Sequence, residues 1–352
     1  MICGLKIIHN LLMADASSSL FCKNHQETIT MQRKTFVRSL LGCAIATLAL
    51  GAQAQGGYPS KPVRLIVPFP PGGSVDYVAR TISQKFAEHL GQSVVVDNRG
   101  GASGTIGTYE AARAAPDGYT LLLVFDSHAV NASLYDVKYD TFQSFDYVSL
   151  IGTMPMALVT SKKSGLTSLK AVIDTARAQP GKLNYGSSGV GGSNHLNPVA
   201  FARQAGVQLT HVPYKGGGPM LTALLGGEVD MVIGSLPTVV NYIKAGQVNA
   251  VAIGSPEPVA QLPGVPTIAS AVPGYTAQSW IGMVVPRGVP RPVFEHIQAA
   301  LRKALAEPAV KGKMEADGFQ IVNSSPAGFE EQVRRESKRW AEIIQAEHIK
   351  VE

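Results

Sequence analysis

Between Val63 and Arg80 the chain passes from an apolar segment, through Pro68-Phe69-Pro70-Pro71-Gly72-Gly73, into a helical pattern opening at Ser74. Val63–Val67 reads as a buried strand. The prolines end it, because proline has no N–H for a ladder bond. Gly72 and Gly73 let the backbone approach a ligand closely, and Ser74 is expected to be the N-cap. The free N–H groups of the first helical turn and the helix dipole then act together on an anion. The loop lacks the Gly-x-x-x-x-Gly-Lys-Ser/Thr pattern of a triphosphate site, so a carboxylate is the expected anion.

Strand-length apolar runs and helical patterns alternate along the rest of the chain. Expected strands are 93–96, 120–125, 156–160, 183–185, 229–233, 248–253 and 281–285. Expected helices include 75–90, 169–178, 197–205, 220–225 and 293–306. The strands are continuous apolar runs, as in sheets covered on both faces, so the class is α/β. The last helix, Phe329 to Ile349, carries Val333, Trp340, Ile343 and Ile344 and is expected to pack as an outer layer.

The N-terminus reads as an export signal. Gln32–Arg38 is a basic region, Ser39–Gly51 an apolar run, and Ala52-Gln53-Ala54 a small-x-small cleavage site. The run is shorter than the roughly 20 residues of a membrane-spanning helix. A signal peptide over 31–54, cut after Ala54, implies a periplasmic location. Residues 1–30 fit no export pattern and are expected to be untranslated or disordered. Cys3, Cys22 and Cys43 all precede Ala54, so the mature chain has neither a disulfide nor a cysteine-bound metal. Residues 1–54 hold five of the 31 Lys/Arg and two of the 25 Asp/Glu, which leaves a net charge of +3 beyond them. That balance does not argue for nucleic acid, and the remaining length suits two ordinary domains.

A second Gly/Ser-rich loop, Gly186-Ser187-Ser188-Gly189-Val190-Gly191-Gly192-Ser193-Asn194-His195, also joins a strand to a helix. It is either a tight connection or a holder for a polar end of a ligand. Ligands of open α/β sheets bind at the carboxyl ends of the strands, where both loops lie. The candidates are therefore Phe69, Gly72, Gly73, Ser74 and Asp76 from the first loop. From the second come Ser187, Ser188, Gly189, Gly192, Ser193, Asn194 and His195. Ser127 and His128 follow the third strand; Tyr214 and Ser235 follow later ones. Phe69 is either an apolar wall or core. Asp76 either caps its helix or meets a ligand amino group, and His128 is either a ligand contact or a structural residue. Arg99 follows the second strand, where it either clamps a carboxylate or braces the adjoining loop; it is not taken as a site residue. No Gly-x-Ser-x-Gly elbow, zinc motif or correctly spaced Gly-x-Gly-x-x-Gly fingerprint occurs, so no catalytic residue, metal or cofactor is assigned. A nucleotide-binding α/β enzyme is the alternative reading.

Several motifs occur together in one order. They are the Tyr58–Arg80 segment, Val96-Asp97-Asn98-Arg99-Gly100-Gly101-Ala102-Ser103-Gly104 and Pro116-Asp117-Gly118-Tyr119-Thr120. They continue with Leu183-Asn184-Tyr185-Gly186-Ser187-Ser188-Gly189, His211-Val212-Pro213-Tyr214-Lys215-Gly216, Leu262-Pro263-Gly264-Val265-Pro266-Thr267 and Pro273-Gly274-Tyr275 with Trp280. From Tyr58 to the C-terminus this resembles the Bug family, the extracytoplasmic solute receptors of tripartite tricarboxylate transporters. The resemblance implies a two-lobed periplasmic-binding-protein type II fold with two crossover strands and a central ligand cleft. Residues 55–155 plus 278–352 would form lobe 1 and 156–277 lobe 2, with crossings near Gly152–Pro155 and Pro273-Gly274. It further implies a monomeric receptor, not an enzyme. Such a receptor captures a small carboxylate (a di- or tricarboxylate, an amino acid or an aromatic acid) and hands it to membrane permease subunits.

Overall fold

The structure, a computed structural model, describes residues 57–351. The expected signal segment 31–54, its cleavage after Ala54, residues 1–30 and the three cysteines lie outside the described residues. From Pro59 on, the chain forms one compact unit.

Its elements alternate as the apolar pattern requires. In chain order they are β1 (Val63–Val67), α1 (Ser74–Leu90), β2 (Val94–Asn98), α2 (Thr105–Ala112), β3 (Thr120–Phe125) and a short α3 (Asn131–Leu134). The long β4 (Phe145–Ser161) is followed by α4 (Leu169–Ala178), β5 (Asn184–Ser187), α5 (Ser193–Ala205), β6 (Thr210–Pro213) and α6 (Gly217–Gly226). Then come β7 (Met231–Ser235), α7 (Leu236–Lys244), β8 (Val248–Ile253), β9 (Gln278–Pro286) and α8 (Arg291–Ala306). The chain closes with α9 (Pro308–Ala316), β10 (Gln320–Ile321) and α10 (Pro326–Ala346).

The fold is α/β with two lobes, each built on its own part of the sheet. In the first, β1 lies between β2 and β3 and is parallel to both; β9 joins β3 to β4 in antiparallel pairing. In the second, β4 pairs antiparallel with β7 and β8, and β5 runs parallel to β6 and β7. β4 serves both. It pairs with β9 as far as Pro155 opposite Gln278, and from Met156 on its partners are β7 and β8. The chain returns beside it. The Ala277 N–H donates to Gly254 O at 2.8 Å and the Met156 N–H to Ala277 O at 3.1 Å, after which Gln278 opens β9. Two adjacent extended segments thus connect the lobes, the geometry of a hinge.

Successive residues of a strand face opposite sides, and β4 is buried on both. Met156 and Leu158 enter a core with Phe201 and Tyr275; Ala157 and Val159 enter another with Met220, Leu224 and Leu236. The other lobe's core gathers Ile66, Leu122 and Val124 with Trp280, Val284 and one face of α10. On α10 the buried residues are Phe329, Val333, Trp340 and Ile344, spaced as one helical stripe. It is therefore the outer layer that the sequence suggests.

Three differences from the sequence reading have physical causes. Gly73, with extended φ −93° and ψ 177°, is the N-cap of α1, and Ser74 is the first helical residue. α5 starts at Ser193, so Pro198 lies inside the helix. The Asn197 side-chain amide there donates to the Ser193 carbonyl at 3.0 Å. β6 has no apolar run to announce it, because it lies at the sheet edge with Thr210 and Pro213 exposed.

Candidate functional site

The two lobes meet where the loops at the carboxyl ends of their strands converge. Pro70–Gly73 faces Gly216–Gly218, backbone against backbone. A methyl group on Gly217 would sit 3.1 Å from Gly73 Cα, and one on Gly218 only 2.8 Å from Pro71 O. Glycine at 217 and 218 is what permits this approach. Beside it the Ser74 and Ser235 hydroxyls are 2.5 Å apart, one from each lobe. The Thr238 hydroxyl donates to Ser235 O at 2.7 Å and lies 3.1 Å from Ser235 Oγ. The three hydroxyls thus form a chain that runs from α1 into α7.

These groups border a narrow pocket that opens to solvent. Phe69, Val75, Phe125, Met220 and Leu221 supply an apolar wall; Gly73, Ser74, Ser188, Asn194, Gly217, Ser235 and Thr238 supply polar atoms and bare backbone. No Lys, Arg or His is among the lining residues. The first residues of four helices (α1, α5, α6 and α7) contribute to the wall. The first backbone N–H groups of a helix have no partner within it, and each dipole's positive end points the same way. What the pocket offers an anion with an apolar body is therefore backbone N–H groups rather than cationic side chains.

Of the residues expected from sequence, Phe69, Gly73, Ser74, Ser188, Asn194 and Ser235 share this pocket. Phe69 is buried and packs edge-on against Phe125, with ring centres 5.7 Å apart. The Ser188 hydroxyl donates to Asn194 Oδ1 at 2.9 Å, and Asn194 Nδ2 donates to Ile233 O at 3.0 Å.

The other expected residues stand behind the wall. Gly72, at φ +89°, donates its N–H to Asp76 Oδ2 at 3.1 Å. Asp76 also accepts from Arg80 Nε at 2.9 Å and Asn98 Nδ2 at 3.0 Å. Burial alone would raise its pKa; bonds from Arg80, the Gly72 N–H and Asn98 outweigh that and hold it below the usual value. Asp76 thus braces the first loop. The Ser127 hydroxyl donates to Ser103 O at 3.0 Å. Buried His128 packs against Tyr139 and Phe145, and neither of its ring nitrogens has a hydrogen-bond partner. Ser187 Oγ lies 2.6 Å from His211 Nε2. His195 stacks on His211 at 3.9 Å, and its Nδ1 accepts the Gly191 N–H at 3.1 Å. Gly189, at φ +135°, abuts Ser103 of the opposite lobe; Gly192 caps α5; the buried Ser193 Oγ has no partner. The Tyr214 N–H donates to Ser187 O at 2.9 Å. Arg99 pairs with Asp97 at 3.1 Å, bracing the loop rather than lining the pocket.

Sequence reasoning missed Gly217, Thr238, Met220 and Asp126. Asp126 directly follows β3 and is buried. Its Oδ1 accepts the Ser193 N–H at 3.0 Å, from the other lobe, while Oδ2 accepts from Ser279 Oγ. Burial pushes its pKa up to about 6, the bonds from Ser279 and Ser193 notwithstanding. The signal was visible: a charged residue at the carboxyl end of an apolar strand, directly before Ser127.

Residues 78–349 match the sequence model of the tripartite tricarboxylate transporter family receptor. The chain belongs to this receptor family. Protein BugT of Bordetella pertussis is 36% identical to the receptor over 315 residues, which span 88% of this chain and 97% of BugT. Among solved structures, Rpa4515 of R. palustris with adipate is 34% identical at a TM-score of 0.79, covering 82% of the receptor and 98% of Rpa4515. MatC from Rhodopseudomonas palustris with bound malate is 30% identical at a TM-score of 0.77, covering 82% and 100%. The resemblance to Bug receptors and the two-lobed binding-protein fold are borne out. The receptor is a solute-binding component of a transporter, and the nucleotide-binding enzyme is set aside.

The histidines behind the pocket are expected to make the receptor sensitive to acid. Burial lowers His128 to about 4 and His211 to about 4; burial and then the neighbouring His211 lower His195 to about 3. Unfolded histidine titrates near 6.5, so the unfolded chain takes up protons first as pH falls. Stability tied to these neutral rings is complete above about pH 6.5 and is lost as pH drops toward 4. Asp126 opposes this, since a raised carboxyl favours the folded state as pH falls from about 6 to 4. Three groups outweigh one. The thermal midpoint is expected to fall by about 5 °C or more between about pH 7 and 4.5; a flat or rising midpoint would contradict this.

Proposed function

We propose that this chain is a periplasmic receptor that closes its two lobes over a small organic carboxylate and presents it, as a monomer, to the permease subunits of a tripartite tricarboxylate-type transporter. The observation that carries the reading is the interlobe pocket walled by four helix N-termini and lacking any cationic side chain. In this reading a ligand carboxylate takes the N–H groups beside Gly73 and Ser74, and the Phe69 and Phe125 wall covers its carbon chain. Solved relatives with adipate and with malate support the ligand class. The lobes divide into residues 55–155 plus 278–352 and residues 156–277, a division supported by the change of strand partners at Pro155 and Met156. Closure is a population shift driven by contacts that require both lobes, with the Ser74–Ser235 pair closing the seam.

The receptor reaches the periplasm by the export signal at 31–54, and no helix among the described residues is long and apolar enough to cross a membrane. Native mass spectrometry of protein expressed from Met31 and exported tests location and ligand together. The expected result is a mass starting at Gln55 with a small acid that is released on unfolding. An unprocessed chain, or a processed one carrying a nucleotide, would overturn the reading.

A further inference from the structure

The four helix N-termini around the pocket are not equivalent. At α5 the chain supplies its own anion: Asp126, from the opposite lobe, accepts the Ser193 N–H at 3.0 Å and is held from behind by Ser279. Two neighbouring donors are also committed. The His195 N–H bonds back to Gly192 O at 2.9 Å, and the Ser188 hydroxyl proton goes to Asn194 Oδ1. The Asn194 amide is fixed in that orientation because Nδ2 must serve the Ile233 carbonyl. Ser188 therefore turns lone pairs, not a proton, toward the pocket. A methyl group placed on Gly192 would touch both Ser188 Oγ, at 3.8 Å, and Asp126 Oδ1, at 4.0 Å. The buried carboxylate thus lies just behind the second loop's wall. Burial raises its pKa only to about 6, and α1, α6 and α7 are the termini that meet no carboxylate from the opposite lobe.

We propose that Asp126 makes this a monocarboxylate receptor, selecting an acid with one carboxylate and an uncharged, apolar far end over the dicarboxylate of the same length. The proposal rests on the carboxylate reading above and narrows it. A ligand's first carboxylate goes to the Gly73/Ser74 end. A second one, reaching the Ser188/Asn194 wall, meets the like charge of Asp126 behind it and finds the Ser188 hydroxyl proton already given to Asn194 Oδ1. Two like charges under about 8 Å apart in such surroundings differ from the neutral case by tenfold or more in affinity. The far end instead meets Met220, Leu221 and Phe125.

Calorimetric titration of the mature receptor at about pH 7.5 tests this with matched pairs of straight-chain acids of about four to eight carbons, hexanoate against adipate among them. The wild type is expected to bind the monocarboxylate of its best-fitting pair at least about tenfold more tightly. Asp126→Asn keeps an acceptor for the Ser193 N–H but removes the charge. It is expected to narrow that ratio to about threefold or less, mainly by improving dicarboxylate binding. Ser279→Ala keeps the charge and is expected to keep the preference, a result that a merely structural role for Asp126 would not give. A wild type that prefers the dicarboxylate, or an Asp126→Asn variant with an unchanged ratio, overturns the proposal and leaves the carboxylate receptor standing. Binding of no member of the series by the wild type overturns both. If Asp126→Asn does not fold, the wild-type ratio decides alone, together with the charge class of the acid that co-purifies.

Discussion

Gly73→Asp is expected to lower carboxylate affinity by more than about 100-fold while leaving the thermal midpoint unchanged or slightly raised. Gly73 is the N-cap of α1, in an extended conformation that any residue adopts. A β-carbon there makes only ordinary contact, 3.7 Å from Gly217 Cα and N. The backbone therefore tolerates the change, and aspartate is among the best N-cap residues, worth about 0.5–2 kcal/mol to a helix. Its carboxylate then occupies the N–H groups that the ligand needs and repels the ligand's own charge. Gly73→Ala separates the two effects: it adds the methyl without the anion and should cost no more than about tenfold. Titration calorimetry with thermal melts of both variants checks this. Retained affinity in Gly73→Asp would remove the first loop from the site. A collapsed midpoint would show that the glycine serves the fold instead.

The largest effect on stability is expected at Gly282, which does not line the pocket. Gly282 lies in β9, paired with Val124 on one side and Leu150 on the other. The ring of Phe329 from α10 rests directly on it: a β-carbon there would fall 2.0 Å from Cζ and 2.5 Å from Cε1. That ring cannot retreat, being fully buried and held edge-on by Tyr147 at 5.1 Å and Trp280 at 5.6 Å. Overpacking of this kind costs about 1–3 kcal/mol and sometimes more. Gly282→Val, which adds two further carbons to the colliding β-carbon, is expected at or above the top of that range, with a midpoint lower by about 5 °C or more. Phe329→Leu should recover part of the loss in a Gly282→Ala background, since it removes the colliding ring edge. Additive effects of the pair would contradict the contact.

The parts of the fold legible in the sequence are those whose cause is local. β1, β3 and β8 are apolar runs buried on both faces, and α4 is bounded by its Ser168 cap, so their positions follow from composition alone. β4 was legible only over its second half, 156–160, because Asp146, Ser149 and Gly152 interrupt the apolar run before the crossing. β6 carries too little apolar pattern of its own, whereas α7 has an apolar face that the sequence reading passed over. The same division holds in the pocket. Phe69, Gly73, Ser74, Ser188, Asn194 and Ser235 were reachable because each sits at a strand–helix junction, where unpaired N–H groups gather. Gly217 and Thr238 matter only because folding brings them against Gly73 and Ser74, more than 140 residues away in the chain. No local signal encodes that meeting. Asp126 did have a local signal, a charged residue at the carboxyl end of an apolar strand, but its partners, Ser193 and Ser279, lie in two other segments and its polar neighbours Ser127 and His128 drew the inference toward themselves.

The central claim is that backbone N–H groups and hydroxyls, without a cationic clamp, hold a carboxylate between the lobes. Its most direct test is the affinity of the mature receptor for its best-binding acid, measured by calorimetry at about 20 mM and about 500 mM NaCl. Saturable one-site binding that weakens by less than about threefold across that range is the predicted result, since fixed buried dipoles are little screened. Loss of an order of magnitude or more would mean that a screened, solvent-exposed cation does the holding, and the site built here from helix N-termini would be the wrong one.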